Sequence, residues 1–282
     1  MIKPKSPAVE PTVAPTDSNP SQALLDLIHS DRLETKLAAL DAECIEALLA
    51  VDADNQPPVR LSAPGRPEAL RIRPAREVRI PPIEGYADPQ QRVRILHALA
   101  NHELQAAELF AWALLAFPQA PTEFRRGLLL ILNDEQRHTR MYIARLQASG
   151  AEFGDFPVNG YFWNKVAEIH SPLDFICAMS LTFENANLDH TVDYAAAARR
   201  AGDPKTAGVI DRVHQDEVEH VRFGWRWLQV FKPESHSAWR AYREHLSWPL
   251  RPAKARGRTF YRQGREAAGL DAEFIRRLEK SG

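Results

Sequence analysis

Two seven-residue stretches of this chain carry one pattern. Asp134-Glu135-Gln136-Arg137-His138-Thr139-Arg140 and Asp216-Glu217-Val218-Glu219-His220-Val221-Arg222 both read Asp-Glu-x-x-His-x-Arg, with their glutamates 82 positions apart. Residues three apart on an α-helix share a face, so Glu135 with His138, and Glu217 with His220, can each grip one metal ion from one side. A single Glu-x-x-His arises readily on a helix surface. Two copies that share the flanking Asp and Arg imply a duplicated unit.

The duplication extends upstream. Glu103 lies 32 residues before Glu135, and Glu184 lies 33 before Glu217. Those separations suit two antiparallel helices of about 25 residues with a short connection. Counting back from the turn at Pro118 and Pro121 sets Glu103 level with Glu135 and His138. Five residues further on, Glu108 and Asp189 repeat the match. One Glu from each of two helices and one Glu-x-x-His from each of two others resembles the ligand plan of ferritin-like di-iron and di-manganese carboxylate bundles. The expected fold class is therefore all-α: a ferritin-like four-helix bundle with a long crossover between two duplicated helix pairs, plus N- and C-terminal extensions.

Along the chain, residues 1–20 hold five prolines with Ser and Thr, and are expected to form a disordered tail. Residues 21–90 form the N-terminal extension. There Leu33, Leu37, Leu40, Cys44 and Leu48 recur as one stripe of an amphipathic helix, and eight prolines over 53–90 predict an extended wrapping segment. The bundle occupies 91–232, with helices expected over 91–117, 122–149, 173–201 and 205–231 and an aromatic-rich crossover over 150–172. Residues 233–282 form a basic C-terminal helical extension with a last helix over 271–279. Six basic and no acidic residues lie between Arg251 and Arg265, which suits either a solvated face covering the bundle or an RNA contact.

Composition narrows the function classes. A net charge of −1 gives no global attraction to nucleic acid or membrane. The apolar run over 109–117 is too short to span a bilayer. Two cysteines cannot make a disulfide framework, and the first twenty residues have no apolar stretch of a signal peptide. A cytoplasmic protein without a membrane partner is the expectation.

On this plan Glu103 and His138 terminate one metal, Glu184 and His220 the other, and Glu135 and Glu217 bridge the two. Glu103 sits on the stripe of Leu96, Leu99, Ala106 and Phe110, where a carboxylate is costly unless paired, protonated or metal-bound; an arginine salt bridge is the alternative. Four carboxylates balance two divalent ions, and oxygen-plus-imidazole ligation points to two Fe ions, Mn/Fe or Mn/Mn rather than a thiolate zinc site. Asp134 and Asp216 are candidates to accept the second ring N–H of a ligand histidine, or else to pair with Arg137 or Arg140. Glu108 and Asp189, turned about 140° from Glu103 and Glu184 at ~100° per residue, are expected to support the ligands or make interhelical polar contacts. Asn185 and Asn187 are expected to hydrogen-bond to ligands, and His214, one turn before Glu217, is a further candidate. Tyr142, four residues after His138, is similar in offset to the radical tyrosine of ribonucleotide reductase small subunits, or it packs in the core. Its second-half equivalent, Gly224, would leave space for substrate.

Longer strings carry a further resemblance. They are His102-Glu103-Leu104-Gln105-Ala106 with Phe110-Ala111-Trp112, Gly154-Asp155-Phe156-Pro157 with Gly160-Tyr161-Phe162-Trp163, Phe183-Glu184-Asn185-Ala186-Asn187-Leu188-Asp189-His190, and His220-Val221-Arg222-Phe223-Gly224-Trp225. Over roughly residues 60–280 the chain resembles the bacterial ferritin-like family catalogued as domain of unknown function 455, which implies a di-metal site but no settled reaction. Asp134-Glu135-Gln136-Arg137-His138 is also similar to the Asp-Glu-x-Arg-His of soluble di-iron monooxygenases; the second copy departs from it at Glu219. The expected function is a di-metal oxidoreductase that activates dioxygen to oxidise or hydroxylate a small-molecule or RNA substrate. Such an enzyme takes electrons from a donor protein and works as a monomer or homodimer. The alternatives are a ferroxidase or iron-handling protein, a tRNA-modifying hydroxylase, and a non-catalytic scaffold.

Overall fold

The computed structural model describes residues 20–50, 56–247 and 249–282. The tail expected over 1–20 lies outside the described residues except for Pro20, which opens the first helix. The N-terminal extension forms three short helices, α1 (Pro20–His29), α2 (Leu33–Leu37) and α3 (Ala42–Ala50). This corrects the single amphipathic helix expected from the Leu33-to-Leu48 stripe. The chain leaves helical geometry after Leu37 because its carbonyls are claimed from outside: Gln136 Nε2 donates to the carbonyls of Lys36 and Ala38, both at 2.9 Å, and Arg140 Nη1 donates to that of Leu37. Asp41 then restarts the helix by accepting from Cys44 N at 2.7 Å.

The proline-rich stretch that follows runs extended, broken by 3-10 turns at Glu68–Leu70, Ala75–Glu77 and Ile83–Ala87. Its strand β1 (Ile72–Arg73) pairs in parallel with β2 (Val158–Asn159) of the crossover. Two extended segments thus lie side by side across the bundle.

Four helical stretches make the bundle. The first, α4 (Pro89–Ala116), starts where Asp88 caps Gln90 N and Pro89 supplies a preset φ. It is buried on nearly every side, with Leu96, Leu104, Phe110 and Trp112 inaccessible. Next comes α5 (Thr122–Ala148). After the crossover, a Ser171/Asp174 capping box starts α6 (Pro172–Ala178). A π-helical turn, Met179–Glu184, leads into α7 (Asn185–Arg200). The last, α8 (Pro204–Phe231), is capped by Asp203. The third helix expected over 173–201 is therefore interrupted, and the wide turn ends on Glu184. Thr182 Oγ1 donates to the Cys177 carbonyl at 2.7 Å, taking up a backbone acceptor that the widened turn frees.

Helix α4 packs along α5, α7 along α8, and α5 against α8, whereas α4 and α7 are bridged by the Ile83–Ala87 turn. Phe124 of α5 stacks on Phe223 and meets Trp227 and Phe231 of α8 edge-on, an aromatic cluster that fixes the antiparallel register of these two helices. The C-terminal extension adds α9 (Ala238–Glu244), α10 (Arg262–Ala267) and α11 (Ala272–Glu279). No helix among the described residues is long and apolar enough to cross a membrane.

The two extensions are fastened at equivalent places. Glu108 accepts from Lys36 Nζ at 2.9 Å, from Arg66 Nε and Nη2 at 2.7 Å each, and from Trp163 Nε1 at 2.8 Å. Asp189 accepts from Arg265 at 2.7 and 2.9 Å and from the backbone N–H groups of Gly257 and Tyr261 at 2.8 Å. Both carboxylates are inaccessible and surrounded by donors, the condition under which a buried charge is tolerated.

Candidate metal centre

The six side chains Glu103, Glu135, His138, Glu184, Glu217 and His220 converge at mid-bundle. They form two overlapping groups, Glu103–Glu135–His138–Glu217 and Glu135–Glu184–Glu217–His220, in each of which one ligand atom per residue lies within 4.8 Å of the others. Glu135 and Glu217 belong to both. The helical repeat explains the convergence: Glu-x-x-His puts both groups on one face of α5 and of α8, and the antiparallel register sets those faces against each other.

Both imidazoles turn Nδ1 inward. His138 Nδ1 lies 3.6 Å from Glu103 and 3.5 Å from Glu135, and His220 Nδ1 lies 3.1 Å from Glu135 and 3.5 Å from Glu217. The outward nitrogens are crossed between the helices. His138 Nε2 meets Asp216 of α8 at 3.1 Å, and His220 Nε2 meets Asp134 of α5 at 3.3 Å. One guanidinium joins the two aspartates: Arg137 Nη2 is 2.8 Å from Asp134 and 2.8 Å from Asp216. Asp134 and Asp216 thus meet histidines and Arg137 at once, each serving the helix opposite its own.

Charge is distributed unevenly. Burial, then Glu135, pushes Glu103 well above the usual carboxylate range, and burial with Glu217 and Glu135 does the same to Glu184. Burial would also raise Glu135, but His138 and His220 outweigh it and hold it down. Burial would lower both histidines; Asp216 with Glu103 outweighs it for His138, and Asp134 with Glu135 for His220, so both are raised. Asp216, despite some burial, is held at about 2 by His138 and Arg137.

Both oxygens of Glu135, Oε2 of Glu217 and Nδ1 of His138 and of His220 are buried and have no hydrogen-bond partner. Distances near 3.1–3.6 Å bring them close without aligning a hydrogen bond. An unsatisfied buried polar atom costs about 1–3 kcal/mol, so five gathered at one point call for a common partner. A cation is the species these atoms suit: all five are lone-pair donors when His is neutral, and oxygen with imidazole nitrogen is a hard-to-borderline donor set.

Most of the remaining predicted residues fall elsewhere. None of the hydrogen bonds of Glu108 or Asp189 reaches the cluster; they anchor the extensions, because a rotation of about 140° turns them to the bundle's flank. His214 Nδ1 meets the Thr191 hydroxyl at 2.7 Å rather than a ligand. Asn187 does reach the cluster, donating to Glu217 Oε1 at 3.1 Å, while Asn185 donates to the Leu181 carbonyl. Tyr142 is buried beside Leu96, Leu146 and Ile210; burial, then Glu103 and Glu217, raises its phenol well above 10. Gly224 leaves no substrate space: a Cβ there would lie 2.3 Å from Ser180 Cβ, in the π-helical turn. That turn, and Arg137 as the link between both Asp–His pairs, escaped the sequence reading, although Arg137 stands out as the position where the twin motifs differ in charge sign.

Fold and cluster together define an all-helical bundle with buried Glu and His groups that could hold metal ions. The chain belongs to the family described as "Protein of unknown function (DUF455)", whose pattern matches residues 22–276. No curated protein and no solved structure matches the chain.

Proposed function

We propose that the chain is a ferritin-like di-metal carboxylate oxidoreductase, with iron as the metal that suits the donor set, acting on dioxygen and an organic substrate. The observation that carries this reading is the sharing of Glu135 and Glu217 between two four-residue groups whose inward atoms are buried and unsatisfied. Glu103 and His138 would hold one ion, Glu184 and His220 the other. Bound there, a pair of iron ions would supply the electrons that dioxygen activation requires.

The chain's own residues prepare that chemistry. Asp216 and Asp134 each accept a proton-bearing Nε2, which leaves Nδ1 of His138 and His220 with its lone pair turned inward. Glu103 and Glu184 keep 4% and 3% exposure, whereas Glu135, Glu217 and His138 keep none. The approach therefore lies on the α4–α7 side. There Phe162 of the crossover stacks on Phe183 at 4.4 Å and meets His102 at 5.5 Å, an apolar cover that excludes bulk water.

Two features favour an enzyme over an iron store, and a small molecule over RNA. Extensions clamped at Glu108 and Asp189 cover the bundle's flanks. In the basic tail, Arg256, Arg262 and Arg265 spend their guanidinium groups on Glu279 and Asp189 or on backbone carbonyls of the same chain, and Arg258 meets Glu84 at the surface. The test is to load the full chain with ferrous iron without oxygen, then admit air and record dioxygen uptake with the ultraviolet–visible spectrum. Stoichiometric uptake with a new charge-transfer band is expected. An iron-loaded chain that leaves dioxygen untouched would refute the proposal.

A further inference from the structure

A cavity of about 150 Å³ lies between α4, the extended stretch 77–80 and the crossover stretch 156–159. Among its walls are Glu77, Arg79, Arg94, His97, Asn101 and Phe156. It is separate from the carboxylate cluster, and nothing in the proposed reaction uses it.

The polar groups around it are not balanced. His97 is 2% exposed, its ring held between Phe153 and Phe156 with centroids at 5.0 and 5.3 Å. Its Nε2 accepts the backbone N–H of Gly154 at 3.0 Å. Burial, against the opposing pull of the nearby Asp155 carboxylate, holds its pKa down to about 4, so the ring is neutral at pH 7. A neutral imidazole that accepts at Nε2 carries its proton on Nδ1, and among the described residues that N–H has no acceptor. The Arg94 guanidinium lies 4.9 Å from the centre of the Phe156 ring; neither it nor Arg79 has a carboxylate partner among the described residues. Asn101 is already spent, donating to the Asn159 carbonyl and accepting from Arg66. Glu77 is the one acid among these wall residues, and it sits 4.0 Å from Arg76 at the surface.

What remains unspent is therefore mostly donors: two exposed guanidinium groups and the imidazole N–H of His97. We propose that this cavity binds a small oxyanion, a phosphate or a carboxylate, through Arg79, Arg94 and the Nδ1–H of His97. Guanidinium forks match either group geometrically. A volume of this size admits a ligand no larger than about a benzene ring, which fits inorganic phosphate or a short carboxylic acid. Bound there, the anion would tie the N-terminal strap and the crossover to α4, and would raise thermal stability by mass action.

The test uses the full chain, titrated with sodium phosphate and separately with sodium acetate, against sodium chloride at matched ionic strength. Melting temperature and calorimetric heats are the readouts. Saturable stabilisation by phosphate marks a phosphoryl ligand, by acetate alone a carboxylate ligand, and either supports the site. Arg79→Gln and Arg94→Gln, both at exposed positions, should leave the fold intact and each weaken binding about tenfold. The proposal is overturned if neither anion acts beyond chloride, or if both variants bind as the wild type does.

Discussion

His138 on α5 and Asp216 on α8 meet at 3.1 Å through Nε2 and Oδ2, and His220 and Asp134 repeat the contact in the opposite direction at 3.3 Å. The helices that carry the twin motifs are thereby interlocked. Neither histidine is oriented by its own helix alone, so a change on one side is felt on the other.

Replacing Asp216 with Asn offers His138 an amide that can donate to Nε2, which moves the ring proton to Nδ1 and turns a donor N–H toward the site. Metal affinity should fall about 10- to 100-fold while helix content stays the same. Competition against a chromophoric chelator measures this, and unchanged affinity would show that the crossed pairs do not set the tautomer.

Gly224→Ala should destabilise the chain by about 1–3 kcal/mol, since the new Cβ would sit 2.3 Å from Ser180 Cβ. Elsewhere in a helix this substitution stabilises by up to about 1 kcal/mol, so the sign itself is diagnostic. Ser180→Gly in the same chain should restore much of the loss in urea unfolding. A neutral or stabilising single variant would mean that α8 does not approach the π-helical turn so closely.

His97 makes the crossover acid-sensitive. Its folded pKa of about 4 lies below the unfolded value of about 6.5. It therefore contributes stability that is present above pH 6.5 and is lost as pH falls toward 4. The loss should be on the order of 2 kcal/mol between pH 7.5 and 4.5. Unfolding of wild type and His97→Gln at both values isolates the contribution, because His97→Gln should show a shallower decline. Equal slopes would contradict it.

Arg265→Met strands the Asp189 carboxylate in the core and should cost about 3–5 kcal/mol, whereas Arg265→Met with Asp189→Asn, which removes the stranded charge and keeps an acceptor for the Gly257 and Tyr261 N–H groups, should cost less. Denaturant midpoints for the single and double variants decide whether this pair holds the C-terminal strap through charge.

The convergence of the six cluster residues was legible because it follows from helical period and duplication alone: Glu135/His138 and Glu217/His220 repeat at fixed spacing, and Glu103 and Glu184 precede them by nearly equal distances. Glu108 and Asp189 repeat as faithfully, but spacing does not say what stands opposite. Arg66 and Arg265, which define what those acids do, come from the extensions, 42 and 76 residues away. The π-helical turn was invisible for another reason. Residues 179–184 hold no Gly or Pro to mark a widened turn, and Ser180 within it lies against Gly224 of α8, a tertiary contact without a local signature. The break after Leu37 is likewise imposed from outside, by Gln136 and Arg140.

Metal content per chain tests the central claim most directly. Wild type reconstituted with ferrous iron, stripped of loosely bound ions and analysed by mass spectrometry should carry two ions, and Glu135→Ala, which removes a carboxylate common to both groups, should not hold two. Two ions retained by Glu135→Ala, or none bound by the wild type, would contradict the account.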